Sequence, residues 1–183
     1  MANHAYIRIE IGGTKESVAR VKNRILVTED YITEINKRND GLDEDFKIEI
    51  PKLGELTFNR LVPKPTNIYC GDIGYELRGD ELYCRAFETY GGKSCWWAWN
   101  EDHWGTISDA YRQSIKMPSA EVLYIDFVTS WSPPYEYLEK LAQACIAERC
   151  DMRGCFNLEC SKVGEFYIDS NNELCIECQD IEF

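Results

Sequence analysis

Residues 4–11 alternate, with Ala5, Ile7, Ile9 and Ile11 on one side and Tyr6, Arg8 and Glu10 on the other. That period of two predicts a half-buried strand. Gly12-Gly13 ends it, and the period then lengthens. Thr14 is placed to cap a helix in which Val18, Val21 and Ile25 keep helical spacing. A second cap, Thr28, precedes Glu29 and Asp30, which suit the positive end of a helix dipole, as Lys37 and Arg38 suit the negative end. Residues 14–38 therefore read as helical, with a break near 26–28.

Beyond the acidic turn 39-NDGLDEDF-46, short strands are expected at 46–50 and 54–59, followed by the proline-marked loop 61-LVPKPTN-67. Residues 68–100 read as strands and hairpins, with turns at Gly71, Gly74 and Gly79. The stretch 121-EVLYIDFVTSW-131 puts Leu123, Ile125, Phe127 and Trp131 on one strand face. Ser132-Pro133-Pro134 then reads as a cap followed by proline at the first helical position. The helix 133–149 buries Leu138, Leu141, Ala142 and Cys145 at i, i+3, i+4 and i+7. A final segment, 155-CFNLECSKVGEFYIDSNNELCIEC-178, suggests a hairpin turning at Ser-Asn-Asn. Strand, helix, strands, helix, strand is an α+β pattern. Helices covering one face of an antiparallel sheet satisfy it most economically.

Composition narrows the class. At 183 residues and 44% hydrophobic, the chain has enough apolar material for one well-buried domain. Its start lacks the basic and apolar regions of a signal peptide, and no apolar run is long enough to cross a bilayer, which points to a cytoplasmic protein. Nine cysteines in that compartment read as thiols or metal ligands rather than disulfides. Lys plus Arg total 20 against 32 Asp plus Glu, for a net charge of −12. Such a chain repels a phosphate backbone, so non-specific nucleic-acid binding is not expected. A basic partner surface would attract it; the same acidity also serves solubility alone.

Three segments, 56-LTFNRLVPKP-65, 100-NEDHWGT-106 and 127-FVTSWSPPYEYLEKLA-142, resemble in order and wording the YubB ferredoxin-like (api92-like) domain family of phages and other mobile elements. The likeness runs over most of residues 1–150, and Trp131-Ser132-Pro133-Pro134 is its most specific part. Glu-Asp-His between Asn100 and Trp104 and the cysteine-rich tail depart from the family pattern. The resemblance implies a ferredoxin-like fold without an iron–sulfur cluster, and it supplies no catalytic residues. It also places Trp104 and Trp131 in the core or at its edge. As a whole rather than at any one motif, the chain also resembles zinc-containing type II-A anti-CRISPR proteins of phages. That likeness implies binding to Cas9 and hindered loading of target DNA.

The stretch 96-WWAWNEDHWGT-106 concentrates aromatic residues. Read as a strand, it puts Trp97 and Trp99 on one face and Trp96 on the other, so at least one indole is exposed. His103 has no local nucleophile or second proton-transfer group, which makes it a structural or surface histidine. The expected partner-binding residues are Asp40, Asp43, Glu44, Asp45, Trp96, Trp99, Glu101 and Asp102, although the acidic turn also reads as an ordinary solvated loop. In the tail, Cys155, Cys160, Cys175 and Cys178 follow Cys-x4-Cys-x14-Cys-x2-Cys, which resembles a zinc ribbon holding a structural Zn2+. The first gap is longer than a ribbon uses, and a regular strand would turn Cys175 and Cys178 to opposite faces; Cys150 is a substitute ligand, and buried thiols are the alternative.

The sequence thus predicts an α+β, ferredoxin-like domain over 1–150 with two main helices on one sheet face. A zinc-ribbon-like hairpin over 151–183 packs against it. The expected function is non-enzymatic: a phage or mobile-element protein that inhibits a nucleic-acid-targeting defence complex, Cas9 first among them. An RNA-binding ferredoxin-like module and a metal-dependent nuclease are the alternatives.

Overall fold

The computed structural model describes residues 3–71, 95–159 and 162–180. Its centre is β1 (His4–Gly12), antiparallel to β3 (Val122–Ser130) on one side and to β4 (Asp151–Leu158) on the other. With β2 (Tyr111–Ser119), β5 (Lys162–Ile168) and β6 (Leu174–Asp180), the described residues form a sheet of six strands in the order β2-β3-β1-β4-β5-β6. Helix α1 (Lys15–Ile25) follows β1, and α4 (Tyr135–Ala147) links β3 to β4. The first four strands therefore form two interlocked split β-α-β units, the expected α+β arrangement. β5 and β6 lengthen the sheet beyond it.

The alternation in β1 does what the pattern predicts. Ala5, Ile7, Ile9 and Ile11 are buried under Val18, Val21 and Ile25 of α1 and Leu138, Leu141, Ala142 and Cys145 of α4, with Leu123, Ile125 and Phe127 beside them. Both helices lie on this one face. The helical stretch breaks at 26–28 as expected: Thr14 accepts from Ser17 N, and Thr28 accepts from Tyr31 N at the start of α2 (Glu29–Asn39).

Several expectations need correction. Residues 46–50 and 54–59 form no strands; the chain has short 3-10 helices at Glu44–Phe46 and Phe58–Arg60 instead. Residues 54–57 pair with 25–27 only through an isolated antiparallel bridge, Leu26 with Leu56, and side chains supply much of the remaining pairing. Asn39 accepts from Ile48 N and donates to Ile48 O, and Gln113 does the same for Leu56. The stretch 96–104 is a helix, α3 (Trp96–Trp104), and ends at Gly105 with φ 78°. Helical spacing explains it, since Trp96, Asn100 and Trp104 fall at i, i+4 and i+8 on the inward side. Strand β2 lies where no strand was expected.

Trp131 is 52% exposed with φ 74°, not core. Ser132 does not cap α4; its hydroxyl donates to Gly105 O at 2.6 Å. The boundary expected at residue 150 falls inside one continuous sheet, because β4 pairs with β1 over eight residues. The tail does form a hairpin, β5–β6, whose turn is closed by Asp169 accepting from Asn171 N and Glu173 N. Most of the hairpins expected within 68–100 lie outside the described residues.

Candidate functional site

The three segments that carried the family resemblance meet at one place. Phe58 stacks on Tyr137 at 4.1 Å and meets Trp104 edge-on at 5.6 Å. Trp104 Nε1 donates to Val62 O, and Ser132 ties Gly105 to the start of α4. Asn59 donates to the Tyr31 hydroxyl and accepts from Lys64 N. These residues hold the fold together, and they also form one wall of a cleft.

That cleft has a volume of about 630 Å³ and lies between segment 47–71, α3 and the start of β2. Asp109 sits in its floor. Its carboxylate accepts from Thr57 Oγ1 at 2.5 Å, Phe58 N at 2.8 Å and Ala110 N at 2.7 Å. Burial pushes its pKa up, and the three donors pull against that rise. Lys64 places its ammonium over the Trp104 ring, 5.0 Å from the centroid, and burial lowers its pKa. Asn100 donates to Ile107 O, while its buried Oδ1 has no partner among the described residues.

Of the expected partner-binding residues, Trp96 lines this cleft, and hydrogen bonds join its helix to the acidic turn. Cys70 N donates to Asp45 O at 2.5 Å, Trp96 N donates to Tyr69 O at 2.8 Å, and Trp96 Nε1 donates to Gly71 O at 3.1 Å. Through residues 69–71 the acidic turn is thus stitched to the first turn of α3. Asp40, Asp43 and Glu44 are exposed on that turn, with Glu44 paired to Lys47. Glu101 and Asp102 are exposed about one and a half turns along α3. Trp99 does not belong to the surface set: at 5% exposure it is core, stacked face to face on His103 at 4.2 Å. The exposed indole of α3 is Trp97, 41% exposed and one helical turn before Glu101. Reading 96–104 as a strand hid this, although Gly105 at the end of an i, i+4, i+8 series was a usable helix signal. His103 Nδ1 lies 2.9 Å from Trp99 O, as suits a structural histidine.

Of the four tail cysteines, the three described ones, Cys155, Cys175 and Cys178, are not brought together. Register places Cys155 and Cys175 on the open face of the sheet and Cys178 on the helix side, where it meets the Tyr135 hydroxyl. Burial and the Cys178 thiol push the Tyr135 pKa up to about 12. Cys160 lies outside the described residues, and among those described no three His, Cys, Asp or Glu side chains form a metal-binding group. Cys150 is buried behind Gly13 on the helix side, away from Cys155. Strand alternation is the physical reason: two residues three apart in a regular strand cannot turn the same way.

Among the described residues, no helix lies on the second face of the sheet. Tyr6, Val163 and Tyr167 are exposed on it, and a groove of about 800 Å³ crosses it. Its charges are largely paired across strands, Arg8 with Asp126 at 2.6 Å and Arg153 with Glu10 at 2.7 Å. No helix among the described residues is long and apolar enough to cross a membrane.

Neither a family model nor a curated protein matches the sequence. Among solved structures, the chain is similar to the crystal structure of a protein api92 from Yersinia pseudotuberculosis, assigned to the family model DUF1281. The TM-score is 0.51 at 10% sequence identity, over 100% of this chain and 99% of that one. The two share a fold along their whole length, which agrees with the api92-like resemblance read from the three segments.

Proposed function

We propose that this protein works by binding a partner with a basic surface, without chemistry of its own. The observation that carries the reading is the stitched rim, where the acidic turn 40–45 and the start of α3 meet through residues 69–71. On a chain of net charge −12, carboxylates at Asp40, Asp43, Glu44, Asp45, Glu101 and Asp102 offer charge for steering, and the exposed Trp97 of α3 offers an aromatic anchor for affinity. Asp109 and Gln113 in the cleft are engaged in holding residues 56–58 beside the start of β2, a scaffolding use. His103, stacked on Trp99 and bonded to the backbone, has a structural use as well. The anti-CRISPR resemblance makes the cationic DNA channel of Cas9 the first partner to try.

The test is a pull-down with purified Cas9–guide complex at low and at physiological salt. The parent protein is compared with a variant in which those six carboxylates become their amides. Complex formation that weakens with salt and is lost in the variant supports the reading. Absence of a complex at either salt removes Cas9. A complex that survives neutralisation removes the acidic rim as the docking surface.

A further inference from the structure

The pairing register turns the open face into rows that run across the strands. One row, Val128, Tyr6, Asn157, Val163 and Gln179, spans β3-β1-β4-β5-β6 and holds no charge. The next row, Asp126, Arg8, Cys155, Glu165 and Glu177, spans the same strands and holds nearly all the charge of the groove. The groove of about 800 Å³ runs along these two rows.

The charge in it is polarised. Asp126 and Arg8 cancel as an ion pair. Glu165 and Glu177 remain, directly opposite each other on β5 and β6, and the Tyr167 hydroxyl donates to Glu177 at 3.0 Å. Like charges facing each other across a strand pair destabilise a sheet, and a cation between them relieves the repulsion. At the far end, Arg112 sits in the irregular stretch of β2 at φ 49°, beside Tyr6, with no ion pair among the described residues. A left-handed backbone at a non-glycine residue costs energy and is found where a side chain must be aimed. The negative end and the positive end are four to five strands apart, about 19–24 Å. An extended chain covers that distance in about six residues.

We infer that the open face binds an extended peptide segment of a partner protein. A Lys or Arg seats between Glu165 and Glu177, uncharged side chains lie against Tyr6 and Val163, and a carboxylate meets Arg112. Nucleic acid is the poorer occupant, since the glutamate pair repels phosphate and two of the arginines are already paired. The inference rests on the sheet face and stands apart from the acidic rim.

Fluorescence anisotropy with three labelled probes tests it: the peptide Lys-Thr-Val-Thr-Val-Thr-Glu, its analogue with Gln at both ends, and a heptamer of uridine. The bipolar peptide is expected to bind and the other two to bind at least about tenfold more weakly. Glu165→Gln with Glu177→Gln should weaken the bipolar peptide by about tenfold while melting no lower than the parent, because it removes a like-charge pair. Asp43→Asn with Glu44→Gln makes the same charge change at the rim and should leave the peptide unaffected. The inference is overturned if the bipolar peptide does not bind, if the uridine heptamer binds as well, or if the rim variant weakens binding as much as the sheet variant. In that last case the acidic rim is the cation-binding surface and the first proposal stands alone.

Discussion

Asp109 offers the sharpest test of how the cleft is built. Its Oδ1 accepts from the amides of Phe58 and Ala110, and its Oδ2 accepts from the Thr57 hydroxyl. Asp109→Ala leaves two enclosed amides without acceptors, at about 1–3 kcal/mol each, while the hydroxyl can turn elsewhere. The expected loss is about 2–6 kcal/mol, a large share of the stability of a typical domain. Phe58 transmits the damage, because its ring packs on Trp104, Phe127 and Tyr137. Asp109→Asn keeps an oxygen for both amides and presents an NH2 to Thr57, whose hydroxyl can accept; its cost should stay within about 1 kcal/mol. The pH dependence has a definite sign. Burial raises the folded pKa of Asp109, so its favourable contribution is present below the ordinary carboxyl value and is lost as pH rises through the folded one. Asn does not titrate, so the stability of parent minus Asn variant should fall as pH rises across that window. Urea denaturation of the three proteins followed by tryptophan fluorescence from pH 4 to 8 measures all of this. The reasoning is refuted if Ala costs no more than Asn, or if the parent gains on the Asn variant as pH rises.

Two further outcomes follow from packing. Gly154 and Gly164 each lie under the phenylalanine of the opposite strand, Phe166 and Phe156. A Cβ at 154 would meet Arg8 O at 2.2 Å and the Phe166 ring at 2.3 Å. Gly154→Ala should therefore lower stability by at least about 2 kcal/mol and speed amide exchange in β4 and β5; retained protection there would count against the packing. Trp99→Ala should cost about 3–5 kcal/mol in denaturant, whereas Trp97→Ala should cost under about 0.5 kcal/mol and act on partner binding. Equal costs for the two would contradict the helical placement of α3.

The parts of this fold legible in the sequence are those in which local pattern and tertiary environment agree. The alternation of β1, the two threonine caps with the break between their helices, and the spacing of Leu138, Leu141, Ala142 and Cys145 all read directly. What stayed hidden depends on distant partners. Segments 46–50 and 54–59 have strand-like composition, but 46–50 is held by the Asn39 amide, and 54–59 by the Gln113 amide and a single bridge to Leu26, and nothing local announces that. Strand β2 is largely exposed and irregular, so it has little apolar alternation to detect. In α3 a run of tryptophans supports either period, and only the burial of Trp99, Asn100 and Trp104 decides between them. The acidic turn and the start of α3 each read as binding segments, yet their meeting is made by residues 69–71, where the sequence signals only a turn at Gly71. Cys155, Cys175 and Cys178 illustrate the opposite case: spacing suggests convergence, and strand alternation turns Cys178 away from the other two.

The position of β1 bears on how the protein is made. Its pairs with β3 are separated by 110 residues at Gly12–Val122 and by 126 at His4–Ser130, and its pairs with β4 lie further still. At translation rates of about 5–20 residues per second, Ile7, Ile9 and Ile11 wait on the order of 6–25 seconds at the ribosome before either flanking strand exists. During that interval Arg8 and Glu10, between the isoleucines, are the only charges guarding a sticky nascent segment. Yield in a host should thus depend on elongation speed and chaperone supply, and a circular permutant beginning at β3 should shorten the delay.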